Sequence, residues 1–216
     1  MLFRSYVSDT NGIIFDINKK IVVRYPPGRL ERQYTIPEGV TTISDYAFSG
    51  VTELTEIMIS SSIITIGEGA FSGCTSLIYI RVNENNVNYF SDTNGILFNK
   101  DQTILLQYPA GKKYDEYNIP KRVKTISQGS FKGVSSSVSI SYNQKTMNKL
   151  QCTEESFSEG EIGYVIVPID FIEDNFCGKP VKSIGMCEET IEDCSFEYFK
   201  TNLIHFNICE MKNVLF

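Results

Sequence analysis

Apolar residues recur at an offset of 23 positions between residues 36 and 82, and inside each period two of them occupy alternate positions of a short segment. Ile57 and Ile59 alternate with Glu56 and Met58, as expected for a short strand with one buried face. A turn, a Val/Ile-x-x-Ile segment and an Ala-Phe-x-Gly segment complete the period. The pattern predicts that each period forms one small structural unit.

A longer repeat contains the shorter one. The segment 8–15 (Ser-Asp-Thr-Asn-Gly-Ile-Ile-Phe) returns at 91–98 (Ser-Asp-Thr-Asn-Gly-Ile-Leu-Phe), and the match runs without a gap to Phe48 and Phe131. Repeats of about 20–29 residues with the pattern Leu-x-x-Ile-x-Ile are typical of leucine-rich repeats. The chain is therefore expected to be an array of such units.

One unit of this kind cannot bury its own row of Ile side chains, so it must stack on its neighbours. We expect Phe48, Phe71 and Phe131 to lie above one another in a continuous spine. The predicted fold is a leucine-rich-repeat solenoid, a right-handed superhelix that is mainly β with short turns and 3₁₀ segments. Its parallel strands are expected to line the concave face.

The long unit adds a β-hairpin between coils. Residues 95–108 consist of an apolar strand, a polar turn and a second apolar strand, and residues 12–25 repeat this arrangement. Tyr25 and Tyr108, each followed by Pro, are placed near these hairpins together with Arg24 and Arg29. They are a second candidate binding surface, although packing on the neighbouring coil is the favoured interpretation.

The repeat pattern weakens after about residue 145. We therefore divide the chain into residues 1–145, with two hairpin-bearing units, and residues 146–216, with degenerate repeats and a C-terminal cap. Phe157 and Phe176 are interpreted as degenerate spine positions. The chain begins partway through a unit, and solenoids need capped ends, so a fragment of a larger array is expected.

The net charge of −6 is unevenly distributed, because residues 151–216 carry 4 Lys and Arg against 13 Asp and Glu. An acidic end repels a phosphate backbone, which argues against nucleic acid as a partner. The sequence has no apolar run of about 18 residues that would span a membrane. Met1–Tyr6 lack the basic start and apolar core of a signal peptide.

The motif Ile36-Pro37-x-x-Val40-x-x-Ile43-x-x-x-Ala47-Phe48-x-Gly50 resembles the BspA-like leucine-rich repeats. Residues 94–101, followed by 106–111, are similar to an insert seen in the same family. The resemblance is strong over residues 8–140. It implies a cell-surface or secreted protein that functions in adhesion or in binding host or extracellular-matrix proteins. A cytoplasmic location is the alternative.

The sequence contains little that predicts catalysis or a cofactor. His205 is the only histidine, and a Cys–His pair would have to combine it with Cys194 or Cys209. We expect His205 to point outward from the last strand. The pattern around Asp92 and Asn94 only loosely matches a calcium loop, because the terminal Glu is missing. The chain is predicted not to be an enzyme, with no metal site and no cofactor.

The predicted binding surface is formed by the outward residues of the concave strands. Tyr79, Arg81 and Met58 are residue types enriched at protein interfaces. The site residues are Glu56, Met58, Tyr79, Arg81, Glu116 and Asn118. The outward row also includes Gln33, Thr35, Ser139, Ser141, His205 and Asn207.

The first hypothesis is a protein-binding or adhesion module. The second is an array that self-associates through its uncapped ends, or an intracellular scaffold. The state of Cys152, Cys177, Cys187, Cys194 and Cys209 is left open.

Overall fold

The computed structural model describes residues 6–113, 116–135, 138–141, 151–152, 154–157, 165–167, 175–177 and 179–184. It is a solenoid of short strands joined by turns, and its one 3₁₀ segment in the described ranges spans Glu154–Phe157. The predicted leucine-rich-repeat solenoid is confirmed. The strands are β1 (Tyr6–Ser8), β2 (Ile14–Asp16), β3 (Ile21–Arg24), β4 (Gln33–Thr35), β5 (Thr42–Ile43), β6 (Glu56–Ile59), β7 (Thr65–Ile66), β8 (Tyr79–Val82), β9 (Tyr89–Ser91), β10 (Leu97–Asn99), β11 (Ile104–Gln107), β12 (Glu116–Asn118), β13 (Thr125–Ile126), β14 (Ser139–Ser141), β15 (Val165–Val167), β16 (Asn175–Phe176) and β17 (Lys179–Ile184).

Each plain coil contributes one strand to each of two parallel sheets. We call the sheet β4–β6–β8 the first front sheet and the sheet β12–β14–β15–β17–β16 the second front sheet. Strands β3, β5 and β7 pair in parallel in the first back sheet, and β11 pairs with β13 in the second back sheet. The backbone thus links each coil to the next at two places.

The alternation predicted from the sequence is present in β6. Ile57 and Ile59 are fully buried, whereas Met58 is exposed and Glu56 is half-buried. The parallel register sets Glu56 opposite Tyr79 and Met58 opposite Arg81, which is the 23-residue offset of the repeat. The period therefore sets the register between neighbouring coils.

The stacked aromatic side chains of the core, whose positions we call the aromatic corners, form two columns rather than one continuous spine. Phe48 stacks on Phe71 with ring centroids 5.4 Å apart. Phe131 stacks instead on Tyr108, at 5.4 Å, and on Phe157, at 4.7 Å. The prediction that Phe157 belongs to the spine is confirmed, but Phe131 lies in the second column. The buried apolar residues also form two clusters, and the second insert contributes to both, with Leu97 in the first and Ile96 and Phe98 in the second.

Each predicted hairpin forms the last two strands of a three-stranded antiparallel unit. We call β1–β2–β3 the first insert and β9–β10–β11 the second insert. The first strand of each unit was not predicted. The last strand of each insert joins the back sheet, and the following residue, Tyr25 or Tyr108, occupies the aromatic corner.

The second insert interrupts the front sheet. The amide of Ile80 in β8 donates to the carbonyl oxygen of Gly95 at 3.0 Å, and the amide of Val82 donates to Oγ of Ser91 at 2.9 Å. These amides would otherwise bond to the next front strand. Strand β8 is consequently the last strand of the first front sheet, and β12 begins the second.

The second front sheet continues past residue 145, because β14 pairs in parallel with β15. The boundary at this residue stays a prediction. Phe176 lies in β16, which runs antiparallel to β17. Among the described residues no helix is long and apolar enough to cross a bilayer.

Candidate functional site

The first front sheet brings four of the six predicted site residues together. Its strands place side chains in two rows that cross the sheet, and the register places them next to one another. The rows are Gln33, Glu56 and Tyr79, and then Thr35, Met58 and Arg81. We call these six residues the front patch.

The front patch combines exposed and half-buried side chains. Met58 is 37% exposed, and the side chain of Arg81 is 50% exposed. The side chain of Glu56 is only 23% exposed. Thr35 is exposed beside Met58. An apolar thioether and a cationic group are therefore adjacent on an open surface.

Hydrogen bonds hold the charged groups of the patch in place. The guanidinium Nε of Arg81 donates to Oε1 of Glu56 in an ion pair. Nε2 of Gln33 donates to the other carboxylate oxygen of Glu56 at 3.3 Å. An exposed pair of this kind contributes little to stability, about 0–1 kcal/mol. Its main effect is to restrict the directions in which Arg81 can point.

Two cations contact the ring of Tyr79. The guanidinium carbon of Arg81 and the Nζ of Lys112 each lie 4.7 Å from the ring centroid. Cation–π attraction at this range contributes about 0.5–1 kcal/mol at an exposed site and more where water is excluded. The backbone of Gly95 packs on the same residue, since a Cβ there would lie 2.8 Å from Cδ1 of Tyr79. The aromatic ring is thus fixed in place.

Lys112 was not among the predicted site residues. It is buried, and burial lowers the pKa of its ammonium group, an effect that the nearby Asp92 carboxylate opposes. Burial likewise raises the pKa of Asp92. The sequence did contain a signal for this residue, because Arg29 occupies the same place in the first long unit. The two cations differ in their contacts, because Arg29 lies over the ring of Tyr25, 5.7 Å from its centroid, and forms an ion pair with Glu31.

Glu116 and Asn118, the other two predicted site residues, lie on the second front sheet. Both are exposed on β12, and Tyr117 between them is buried. They are in register with Ser139 and Ser141 of β14. The six predicted residues therefore form two separate surfaces, because the second insert lies between β8 and β12.

The comparison with protein families decides the identity of the fold. The model of the BspA-type leucine-rich-repeat region matches six copies over residues 31–98 and 110–215. The chain belongs to the BspA-type leucine-rich-repeat family.

Two solved bacterial structures are similar to this BspA-type chain. One is a leucine-rich-repeat protein from Eubacterium ventriosum, with 27% identity and a TM-score of 0.51, covering 71% of this chain and 37% of that one. The other is the pneumococcal vaccine antigen PcpA, with 22% identity and a TM-score of 0.51, covering 69% and 40%. The chain thus spans about two fifths of those proteins. None of the curated proteins compared with it matches.

The tyrosines that follow the hairpins of this BspA-type chain are core residues. Tyr25 and Tyr108 are 1% and 0% exposed, so the expectation that they pack on a neighbouring coil is confirmed. Arg24 also binds its neighbour, donating to the carbonyl oxygens of Tyr46 at 2.6 Å and Ser49 at 3.2 Å. The alternative prediction that Tyr25 and Tyr108 contact a ligand is therefore wrong, because their rings fill the aromatic corners.

One residue of the predicted outward row, Ser141, is largely covered. Ser141 is only 4% exposed, and its hydroxyl group donates to the carbonyl oxygen of Tyr117 at 3.4 Å and to Oδ1 of Asn118. The register places Ser141 beside the exposed Asn118, on the face that alternation predicts, and its contacts with the preceding strand cover most of the side chain.

The cysteines of the BspA-type chain fall into three groups. Cys152 and Cys177 form a disulfide with a Cα–Cα distance of 5.6 Å. Cys74 is a buried free thiol whose Sγ donates to the carbonyl oxygen of Phe48 at 3.0 Å. Burial raises the pKa of Cys74 to about 12, which makes it a poor nucleophile. The remaining cysteines, Cys187, Cys194 and Cys209, and the ladder residues His205 and Asn207, lie outside the described residues.

Aspartate and asparagine side chains in the turns hold the backbone of the second insert in place. Oδ1 of Asp92 accepts from the amide of Ile96 at 2.9 Å, and Oδ1 of Asn99 accepts from the amides of Thr103 and Ile104 at 2.8 Å each. Within the described ranges no group of three or more His, Cys, Asp and Glu side chains is arranged to hold a metal ion. The resemblance of this segment to a calcium loop is accounted for by its turns.

Proposed function

We propose that this chain is a protein-binding module that acts in adhesion and uses the front patch as its ligand surface. The observation that carries the proposal is the arrangement of Met58, Arg81 and Tyr79 on adjacent positions of two paired strands. Met58 and Arg81 are exposed, and the Tyr79 ring is held in place by neighbouring cations and by Gly95. Prearranged side chains lose little conformational entropy on binding, which favours affinity.

The chemistry of the patch indicates the chemistry of its partner. An apolar side chain of the partner would pack on Met58 and on the accessible part of Tyr79. A carboxylate of the partner would share Arg81 with Glu56, since Arg presents several donors in a fixed fork. Such a surface fits a folded protein with mixed apolar and acidic residues. Glu116 and Asn118 form a second, polar contact area in this proposal.

The proposed location is the cell surface or the extracellular space. The disulfide between Cys152 and Cys177 supports it, because disulfides persist mainly in oxidising compartments. The resemblance to BspA-like proteins supports the same location. Host or extracellular-matrix proteins are accordingly the proposed partners, and an intracellular scaffold is the alternative.

A matched pair of variants tests the proposal. Met58 on the front patch and Ile64 beside back strand β7 are both exposed apolar residues, at 37% and 60%. Purified fibronectin, laminin and collagen would be passed over the immobilised chain and over the Met58→Lys and Ile64→Lys variants. We expect wild-type capture of at least one matrix protein, about tenfold weaker binding to Met58→Lys and unchanged binding to Ile64→Lys.

Thermal unfolding of both variants serves as the folding control, and each variant should have the melting temperature of the wild-type protein. Equal binding by Met58→Lys and wild type would show that the front patch is not the ligand surface. Failure to capture any of the three matrix proteins would contradict the proposed class of partner.

A further inference from the structure

Neighbouring coils of the solenoid are joined by a recurring pair of hydrogen bonds between a back strand and the aromatic corner that follows it. The amide of Gly67 donates to the carbonyl oxygen of Ile43 in the preceding coil at 2.8 Å. The amide of Phe48 in that preceding coil donates to the carbonyl oxygen of Ala70 at 2.8 Å. The later coil thus supplies an N–H group and, three residues further on, a C=O group.

The same pair is present at three other junctions. The carbonyl oxygens of Val22 and Leu105 accept from the amides of Ser44 and Ser127 at 2.9 Å each, and the amides of Tyr25 and Tyr108 donate to the carbonyl oxygens of Ala47 and Ser130 at 2.8 Å each. At the third, Ser156 completes both bonds, because its Oγ donates to the carbonyl oxygen of Ile126 and its carbonyl oxygen accepts from the amide of Phe131. The residues that complete the pair are always Gly, Ala or Ser.

The coil that precedes the second insert lacks both bonds. Its equivalent groups are the carbonyl oxygen of Ile66 and the amide of Phe71. Among the residues that the structure describes, no group donates to this carbonyl oxygen and none accepts from this amide. Phe71 is 1% exposed, and buried backbone groups are nearly always bonded to protein, water or a ligand. This edge is therefore suited to a polar partner.

The second insert produces the open junction. In the plain coils one back strand pairs directly with the next, as β5 does with β7. In the second insert, β10 occupies the edge of β11 that would otherwise face β7. A groove of about 300 Å³ remains between the coil and the insert. It is lined by residues 66–71 on one side and by Leu97, residues 106–107 and residues 127–128 on the other. We call it the back groove.

The lining of the back groove is partly apolar and partly polar. Leu97 and Phe71 are buried, and the half-buried Leu106 packs on the same core cluster. Gln128 is half-buried and Glu68 is exposed. At about 30 Å³ for each molecule of liquid water, the groove has the volume of roughly ten waters. This is room for a short stretch of chain with small side chains.

We propose that the back groove binds a short backbone segment of a partner protein in which the first and the fourth of four successive residues are small. The amide of the first residue donates to the carbonyl oxygen of Ile66, and the carbonyl oxygen of the fourth accepts from the amide of Phe71. Gly67 and Ala70 make these same two bonds with the coil before them. The segment completes an unpaired backbone edge, as in β-augmentation. This site is separate from the front patch and goes beyond the proposed adhesive function.

The two unpaired groups select a peptide over other kinds of ligand. A carboxylate only accepts hydrogen bonds and an ammonium group only donates them, so each would leave one of the two groups unpaired. A peptide supplies both, at the spacing found at the other junctions. Glu68 adds a third contact, because it occupies the position of Asp45, whose Oδ1 accepts from the amide of Glu68 at 2.8 Å. The Glu68 carboxylate would accept in the same way from the second residue of the segment.

A peptide titration followed by NMR spectroscopy tests the proposal. The probe is a capped peptide with the sequence of residues 126–131, Ile-Ser-Gln-Gly-Ser-Phe, which completes the junction with β11. In the ¹⁵N-labelled full chain, the amide proton signal of Phe71 should move to lower field as the peptide is added. A matched peptide with its first serine N-methylated lacks the donor for Ile66. We expect it to bind about tenfold more weakly, as the loss of one hydrogen bond implies.

Two tryptophan variants locate the binding site. Gln128→Trp places a large ring in the back groove and should weaken binding of the unmodified peptide about tenfold. Val87→Trp is the matched control, since Val87 is 75% exposed and does not line the groove, and its affinity should equal that of the wild type. Capture of matrix proteins through the front patch should be the same for Gln128→Trp and wild type, so the two surfaces are tested separately.

Three results would overturn the proposal. If the Phe71 signal does not move at the highest peptide concentration, the back groove takes water alone. Equal affinity for the N-methylated peptide would show that no bond to the Ile66 carbonyl oxygen forms. Signal changes confined to Met58 and Arg81 would make the peptide a ligand of the front patch, which would leave the proposed function intact. The comparison of the two peptides needs no variant and holds even if Gln128→Trp fails to fold.

Discussion

The amide of Gly111 lies 2.7 Å from the carbonyl oxygen of Leu77 and joins the second insert to the coil before it. This contact needs glycine because the backbone of Ser76 lies directly against the position of a Cβ. The equivalent residue, Gly28, faces open space. The pair provides a comparison of identical residues in a crowded and in an open environment.

We therefore expect Gly111→Ala and Gly28→Ala to differ in stability. Gly111→Ala forces the insert away from Ser76 and should lower the free energy of unfolding by roughly 1–3 kcal/mol. Gly28→Ala should change it by no more than about 0.5 kcal/mol. Urea unfolding in dilute solution measures both values. Equal losses at the two positions would contradict the described contact.

The aromatic columns give a second prediction. Phe131 is fully buried between Tyr108 and Phe157. Replacing it with Ala removes both ring contacts and leaves a cavity, at a cost of about 3–5 kcal/mol. Phe131→Leu should cost clearly less because it retains most of the volume. Chemical denaturation gives both free energies, and a loss below about 1 kcal/mol for Phe131→Ala would show that the column is not a core element.

The sequence predicted the coils well because their signals are local. The alternation of Ile57 and Ile59 with Met58 defines one strand, and the 23-residue offset fixes its register with the next. The wrong expectations concern contacts between distant elements. Whether Phe131 stacks on Phe71 or on Tyr108 depends on the path of the whole insert, and no local pattern reveals that path.

The candidate site shows the same difference between local features, which the sequence predicts, and contacts between distant elements, which it does not. The sequence placed Tyr79 and Arg81 on the outward face, but it did not show that Gly95 and Lys112 would hold Tyr79 from the side. It also predicted one front row that runs from Gln33 through Asn118 to Asn207. The break arises because Gly95 and Ser91 occupy the amides of β8, which is a packing event between an insert and a coil.

The buried thiol of Cys74 predicts a pH dependence. Its pKa rises from 9.0 to about 12 on burial, so the unfolded chain ionises at a lower pH than the folded chain. The unfolded state then loses protons first, and stability falls as the pH rises from about 9 toward 12. Between pH 8 and pH 10 the loss from this group should be about 1 kcal/mol.

Cys74→Ala isolates that contribution. The variant lacks the packing of the thiol, and its loss of stability between pH 8 and pH 10 should be smaller than that of the wild type by the contribution of the thiol. Urea unfolding at both pH values measures the difference. Parallel pH dependence in the two proteins would contradict ionisation of Cys74 on unfolding.

The disulfide gives a fourth prediction. Cys152 and Cys177 are 25 residues apart, and closing a loop of this length restricts the unfolded chain. The double variant Cys152→Ser/Cys177→Ser should lose about 2–4 kcal/mol of unfolding free energy. Peptide mapping of the oxidised protein by mass spectrometry should recover the two cysteines in one linked fragment. Recovery of both as free thiols from protein kept under oxidising conditions would refute the pairing.

If the front patch binds a protein, its affinity depends on which of the two strands carries the positive charge and which carries the negative charge. Exchanging the partners, as Glu56→Arg with Arg81→Glu, retains an ion pair between the same two strands and reverses its orientation. Because the pair is partly exposed, the unfolding free energy should change by no more than about 1 kcal/mol.

The affinity of this charge-exchanged variant for the matrix protein captured by the wild-type chain is the most direct test of the account. It would be measured by surface plasmon resonance at a fixed salt concentration. We predict a dissociation constant at least about tenfold higher than that of the wild type, with the melting temperature unchanged. An unchanged dissociation constant would contradict the assignment of the front patch as the ligand surface.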